Sequence, residues 1–192
     1  MCIIIHVNGI PGSGKTFICS KIHNIKCIDT DDVYNWSKNI IIQSQKTKHK
    51  IPLTEKPLRK IISKKILEII EENKKLKILV FVGMTAEIPT ADYVFYIKIK
   101  NLGEIYRRFV IRELDKIIDK AKIVKKIIEI EDPQAMKYVI DMNLKLGASF
   151  PLSFKNYKEY YMKSKADATK NKFIIKSQDE IIASILKISG KT

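Results

Sequence analysis

The stretch that decides the fold runs from residue 2 to residue 16: Cys2-Ile3-Ile4-Ile5-His6-Val7-Asn8-Gly9-Ile10-Pro11-Gly12-Ser13-Gly14-Lys15-Thr16. An apolar run is followed by a glycine-rich turn that ends in Lys-Thr, and then by a helix-like segment, Phe17 to His23. Strand, turn and helix form the setting in which a phosphate-binding loop works. Gly9, Gly12 and Gly14, around Pro11 and Ser13, let the backbone curl so that successive N–H groups face one anion. These donors open a helix, whose dipole favours negative charge at that end. Lys15 is placed to reach the β- and γ-phosphates and Thr16 to ligate Mg²⁺, with Phe17 completing the nucleotide contact. A nucleoside triphosphate is therefore the expected ligand of residues 9 to 17.

Working outward, the bulk composition narrows the setting. A chain of 192 residues with 45% hydrophobic content suits one globular domain with a sizeable core. No apolar run is long enough to cross a bilayer. The first residues belong to the phosphate-loop strand and read as neither a basic leader nor a cleavage site, so a cytoplasmic protein is expected. Cys2, Cys19 and Cys27 are odd in number and lack metal-ligand spacing, which predicts reduced, buried thiols. The net charge of +15 leaves two readings open, solvated lysine faces or a surface that holds a polyanion such as nucleic acid. Nearly all of that charge is lysine; the arginines are Arg59, Arg107, Arg108 and Arg112. In such a chain the position of an arginine is informative.

Strand and helix patterns alternate along the whole length. Strands are predicted at Ile3–Asn8, Lys26–Asp29, Ile78–Val82, Tyr93–Ile99 and Phe173–Lys176. The polar stretch Gln43–Lys50 reads as a loop. A helix is expected from Thr54-Glu55-Lys56-Pro57 to about Glu72, with Ile61, Ile62, Ile66, Ile69 and Ile70 at helical spacing. Asn101 with Glu104 resembles a capping box for a long helix or helix pair reaching Glu131. Asp132-Pro133 restarts a helix ending near Gly147, and a further one covers Tyr157–Lys165. Ser177 with Glu180 caps the closing helix. Five apolar strands separated by helices imply an α/β fold, a parallel sheet covered on both faces.

The kind of phosphate-loop protein follows from what accompanies the loop. No Asn-Lys-x-Asp base reader of GTP switches occurs, and the chain is short for a motor-type ATPase. The third strand ends Val80-Phe81-Val82-Gly83-Met84-Thr85, without a carboxylate. Asp29 and Asp31, closing the second strand, are placed to supply the acidic partner. Ligands of an open α/β sheet bind beyond the carboxyl ends of its strands, where Asp29, Asp31, Gly83 and the loop all fall.

On Gly9 to Thr16, on Ile28-Asp29-Thr30-Asp31 and on Arg107-Arg108 with Arg112, the chain resembles the small-molecule kinases of the phosphate-loop superfamily. That superfamily includes nucleoside and nucleoside-monophosphate, shikimate, gluconate, polynucleotide and zeta-toxin-like kinases. The resemblance implies sheet order 2-3-1-4-5 in a single domain over residues 1–192, with a helical lid over about 104–132. It also implies ATP with Mg²⁺ as cofactors and a small hydroxyl or phosphate acceptor, with a nucleoside or nucleotide as the first expectation. Lys15, Asp31, Arg107, Arg108 and Arg112 would be catalytic, Asp31 facing an acceptor hydroxyl and the arginines arriving from the lid. Asp29 would join Thr16 at the metal. Planar guanidinium groups suit phosphate oxygens and developing charge. The structural alternatives are that Asp29, Asp31 and Asp32 cap a turn and a helix starting near Val33, and that the arginines form surface ion pairs with Glu104, Glu113 or Asp115.

Arg59 and Gly83 complete the expected acceptor site. Glu55-Lys56-Pro57-Leu58-Arg59 is loosely similar to a substrate segment of shikimate kinases, but Thr54 stands for its glycine and Val82-Gly83-Met84 for the Gly-Gly-Gly after the third strand, which argue against shikimate itself. His6 reads as a packed core histidine, Tyr157, Tyr160 and Tyr161 as a packing stripe, and Trp36 as either surface or acceptor-pocket wall. Two other functions remain: a kinase acting on a nucleic-acid end, and a regulatory module that binds ATP without phosphorylating an acceptor.

Overall fold

The computed structural model describes residues 2–44, 55–84, 88–112 and 153–190. β1 (Ile3–Asn8) leads through the glycine-rich turn into α1 (Lys15–Lys21) and on to β2 (Lys26–Asp29). α2 (Thr30–Ser44), α3 (Glu55–Glu72), β3 (Ile78–Val82) and β4 (Tyr93–Ile97) follow. α4 is described over 102–112. α5 (Phe154–Lys170), β5 (Ile174–Lys176) and α6 (Gln178–Ser189) close the chain.

The strands form one parallel sheet in the order β2-β3-β1-β4-β5, the order implied by the resemblance to phosphate-loop kinases. Its centre consists of apolar, mostly β-branched strands, as expected where both faces are covered. All five residues of β3 are buried. Pairing of Ile5 with Val80 and of Val7 with Val82 brings their side chains to one face. There Ile18 and Ile22 of the α1 segment and Ile181 and Ile185 of α6 cover them. On the opposite face Ile4, Leu79 and Phe81 meet Val33 of α2 and Ile62 and Ile66 of α3. The alternation of period two along each strand thus sends helices to both sides.

The chain divides into two compact units, Met1–Ile99 with Lys163–Thr192, and Lys100–Met162. Within the second, Tyr106 of α4 packs against Phe154 and Tyr157 of α5 and Phe109 against Tyr157, with ring centroids 5.2 to 5.3 Å apart. Tyr157 and Tyr161 are buried, so two of the three tyrosines read as a packing stripe do pack; Tyr160 is partly exposed.

Several boundaries differ from expectation. α2 begins at Thr30, three residues before the predicted start near Val33, because Asp29 Oδ1 accepts from the Asp31 N–H at 2.9 Å and ends the strand at once. β4 stops at Ile97, and α5 extends beyond Tyr157–Lys165 in both directions. The Ser177–Glu180 capping box forms with both of its reciprocal bonds. At α4 the Asn101 side chain accepts from the Glu104 N–H at 3.1 Å. The helices expected at 113–131 and 133–147, Thr54, the 45–50 part of the polar loop, and Glu113 and Asp115 lie outside the described residues.

The cysteine expectation is corrected. Cys19 and Cys27 are disulfide-bonded, with Cα atoms 5.8 Å apart, and Cys2 is free. Sequence spacing hides this pair; it meets because the α1 segment and β2 border the same apolar cluster. No helix among the described residues is long and apolar enough to cross a membrane.

Two measurements check this packing. Thiol titration of unfolded protein should find one reactive thiol before reduction and three after it; three before reduction would contradict the pairing. Replacing the buried Ile66 by alanine should lower stability by about 2–5 kcal/mol in denaturant titration, through lost contacts and a residual cavity.

Candidate functional site

Parallel pairing places the carboxyl ends of the strands on one edge of the sheet. Asp29 is level with Val82, and Val82 with Val7, so Gly9 to Thr16, Asp29 and Gly83 gather there within the first unit. β1 sits between β3 and β4, where the direction of strand succession reverses. Such a reversal is the point at which open α/β sheets leave a crevice for ligands.

The loop is built from both ends. Asn8 Oδ1 accepts the Gly9 N–H at 2.9 Å and the Ile10 carbonyl accepts the Ser13 N–H at 3.1 Å, which tightens the turn. Gly12 and Gly14 take φ of 81° and 86°, the left-handed region open to glycine. Gly14 is also the residue that precedes α1, and no side chain caps that helix. The start of α1 is therefore left to the backbone donors that an anion would meet. Ser13 is buried, and its Oγ has no hydrogen-bond partner. A buried hydroxyl without a protein partner is uncommon in folded proteins.

Lys15 Nζ donates to the carbonyls of Gly9 and Ile10 at 2.6 and 3.1 Å, so the ammonium lies over the loop. Its charge is felt by Asp29, yet Asp29 remains above the ordinary carboxylate range because burial disfavours its charged form. Thr16 and Phe17 are exposed, Phe17 beneath the Lys21 ammonium at 5.3 Å. Asp31 and Asp32 lie exposed in the first turn of α2. The capping alternative holds for Asp29, which accepts the Asp31 N–H; that bond occupies one of its carboxylate oxygens.

Gly83 follows β3 at φ 140°, and a side chain there would overlap Thr30 Oγ1. Its carbonyl accepts from His6 Nε2 at 3.0 Å. His6 is buried in β1, and burial pushes its pKa below the usual 6.5, the nearby Lys15 charge acting in the same direction. The imidazole is thus neutral, with its proton on Nε2. Trp36 is 43% exposed and carries the Lys65 ammonium 5.0 Å above its ring.

The arginines make ion pairs and a ring contact within their own helices. Arg59 is exposed on α3 and pairs with Glu55 at 2.6 Å. In the second unit Arg107 and Arg108 pair with Glu104 at 3.5 and 3.0 Å, and Arg112 lies 5.9 Å from the centre of the Phe109 ring. The Arg107 and Arg108 pairs with Glu104 are among the surface ion pairs named as the alternative, and exposed pairs of this kind hold an arginine only weakly.

Three residues at this edge take roles that the sequence reading does not assign to them. Asn8 holds Gly9, and an Asn closing a strand before glycine is a local signal for such a bond. Thr30 fills the space left by Gly83. Gln178, at the start of α6, donates its side-chain amide to the Ser13 carbonyl. The last contact joins residues 165 apart and has no local signature.

Among the described residues no three His, Cys, Asp or Glu side chains gather as a metal site. The donors at the loop are instead the Thr16 hydroxyl and the Asp29 carboxylate, hard oxygens of the kind Mg²⁺ takes together with phosphate oxygens.

No family model matches the chain, and no curated protein matches it by sequence. Among solved structures it is similar to an uncharacterized protein from Eubacterium ventriosum, at 17% identity over 97% of each chain, with a TM-score of 0.47. It is similar to shikimate kinase from Acinetobacter baumannii in complex with shikimate at 14% identity, over 98% of this chain and 93% of that one, with a TM-score of 0.42. Shikimate kinase from Bacteroides thetaiotaomicron is matched at 15% identity over 55% of this chain and 62% of that one, with a TM-score of 0.39.

The buried His6 gives the edge a pH dependence of known sign. Its folded pKa lies below 6.5, so the unfolded chain binds the proton first. The stabilisation is present above pH 6.5 and is lost as pH falls through the folded value. Melting temperature should therefore drop more between pH 7.5 and 5.5 in wild type than in His6→Gln; parallel curves would contradict the assignment.

Proposed function

We propose that the chain is an ATP-dependent phosphotransferase that moves the γ-phosphoryl group to a small acceptor, a nucleoside or nucleotide. The observation that carries this reading is the company of the phosphate loop. Gly83 follows β3 where a nucleotide-hydrolysing motor would present a carboxylate, and the loop's edge of the sheet carries instead Asp29, which feels the Lys15 charge, with Asp31 and Asp32 next to it.

The roles follow from charge and reach. Gly9, Pro11, Gly12, Ser13, Gly14, Lys15, Thr16 and Phe17 hold the nucleotide, with backbone N–H groups on its phosphates. Lys15 exchanges its two loop carbonyls for β- and γ-phosphate oxygens, a stronger, charge-assisted pairing. Thr16 and Asp29 hold Mg²⁺, which neutralises charge on the phosphate oxygens when bound. The partial burial that raises Asp29 leaves its charge poorly solvated and so favours a cation beside it. Asp31 orients the acceptor hydroxyl and takes its proton; Gly83 and Arg59 border the acceptor. Arg107, Arg108 and Arg112, within a lid over about 104–132 of a single kinase domain, spread the charge of the transferring group. Phosphoryl transfer asks for this positioning and neutralisation more than for covalent help. A cytoplasmic setting belongs to the same reading, because ATP and Mg²⁺ are supplied there.

The net charge of +15 favours a second acceptor, the 5′-hydroxyl end of a nucleic acid. Contacts with several phosphates would make that activity fall steeply with salt, whereas phosphorylation of a mononucleoside would not.

The test is incubation with γ-labelled ATP and Mg²⁺ across nucleosides, monophosphates, sugars and 5′-hydroxyl oligonucleotides. Label should move to one class. Lys15→Ala should lower kcat/KM by roughly 100- to 1000-fold, and Asp31→Asn should lower kcat with ATP binding retained. Label on no acceptor, with wild type and Lys15→Ala equal in ATP turnover, would sink the kinase reading. ATP turnover that depends on Lys15 but ignores Asp31→Asn, again without a labelled acceptor, would point to a regulatory module.

A further inference from the structure

Gln178 stands 165 residues from the loop it touches. Its Nε2 donates to the Ser13 carbonyl, and the same amide lies where a Gly14 side chain would be. Glycine at position 14 is thus required twice, once by its left-handed backbone and once by the space Gln178 fills. The helix that carries Gln178 is firmly held. Its start is closed by the Ser177–Glu180 capping box, and Ile181 and Ile185 are buried in the same cluster as Ile18 and Ile22 from the α1 segment. The first turn of α6 carries Asp179 and Glu180, which makes that turn itself a poor anion site. What α6 contributes to the loop is the neutral amide of Gln178.

The consequence lies in peptide geometry. No peptide among the described residues is cis, so the Ser13 carbonyl and the Gly14 N–H point in opposite directions across one plane. A carbonyl drawn toward α6 turns the Gly14 N–H away from it. Without that tether the plane could rotate, because glycine on either side of Ser13 resists little. The Ser13 Oγ, buried and unpartnered, gives no alternative anchor. We infer that Gln178 is a positioning residue of the phosphate loop: it fixes the Ser13–Gly14 peptide so that the Gly14 N–H is presented to a bound phosphate. This rests on the nucleotide reading of the loop and adds a residue that holds its donor in place before the ligand arrives.

The test compares wild type, Gln178→Glu, Gln178→Ala and Lys15→Ala. Gln178→Glu keeps the shape and removes the donor; both Gln178 variants leave the buried anchors of α6 intact. Affinity for a fluorescent ATP derivative with Mg²⁺ should fall about 3- to 10-fold in each Gln178 variant, the range of one hydrogen bond. The Gly14 amide resonance should shift on ATP addition in wild type and lose most of that shift in Gln178→Glu, while melting of the ligand-free protein changes little. ATP affinity within twofold of wild type, or an unaltered Gly14 shift in Gln178→Glu, overturns the inference alone. Wild type binding the derivative no better than Lys15→Ala overturns the nucleotide reading and the inference with it.

Discussion

Everything at the candidate site depends on the parallel pairing of β1 with β3. That ladder sets Val7 level with Val82, and through β3 it sets Asp29 level with both. Because the strands share a direction, the residues that follow them all emerge on one edge. A slip of one residue would exchange the faces of a strand and send its buried isoleucines and valines to the wrong helices. The apolar clusters on the two faces therefore hold the register, and the register holds the site.

The edge is kept at a cost in burial and charge. His6 is neutral inside the sheet, Asp29 is raised by partial desolvation, and Ser13 Oγ has no partner. Lys15 sits among them, donating to two carbonyls of its own loop. Each of these groups would be easier to place in water. In the proposed reading a phosphate would satisfy the lysine and loop donors and a metal would relieve the carboxylate. The arginines of α3 and α4, by contrast, are exposed and held by weak ion pairs or a ring face, contacts that release a guanidinium readily.

Much of this was legible along the chain because the signals are local. Ile3 to Asn8 and Ile78 to Val82 read as strands from their apolar runs, and both strands form with those bounds. Ser177 with Glu180 announces a helix start, since the two side chains serve backbone donors three residues apart. The same locality explains the misses. Asp29 was weighed as a cap for a helix near Val33, but its bond to the Asp31 N–H starts α2 at Thr30. Cys19 and Cys27 carry no spacing signal, since their approach depends on the α1 segment and β2 packing against one apolar cluster. Gln178 is an ordinary polar residue until a strand order puts α6 beside the loop.

The amino-acid sequence by itself determined the phosphate loop, the strand and helix types and the α/β class, because glycine placement, capping and hydrophobic period act over a few neighbouring residues. It also determined which residues compete for the acidic and cationic roles. Only the tertiary structure decided which of them meet. It brings Asp29, Gly83 and the loop to one edge, ties Ser13 to Gln178 and joins Cys19 to Cys27. Those contacts are set by parallel register and helix packing, which sum small interactions over the whole sheet and leave no mark on any one stretch of chain.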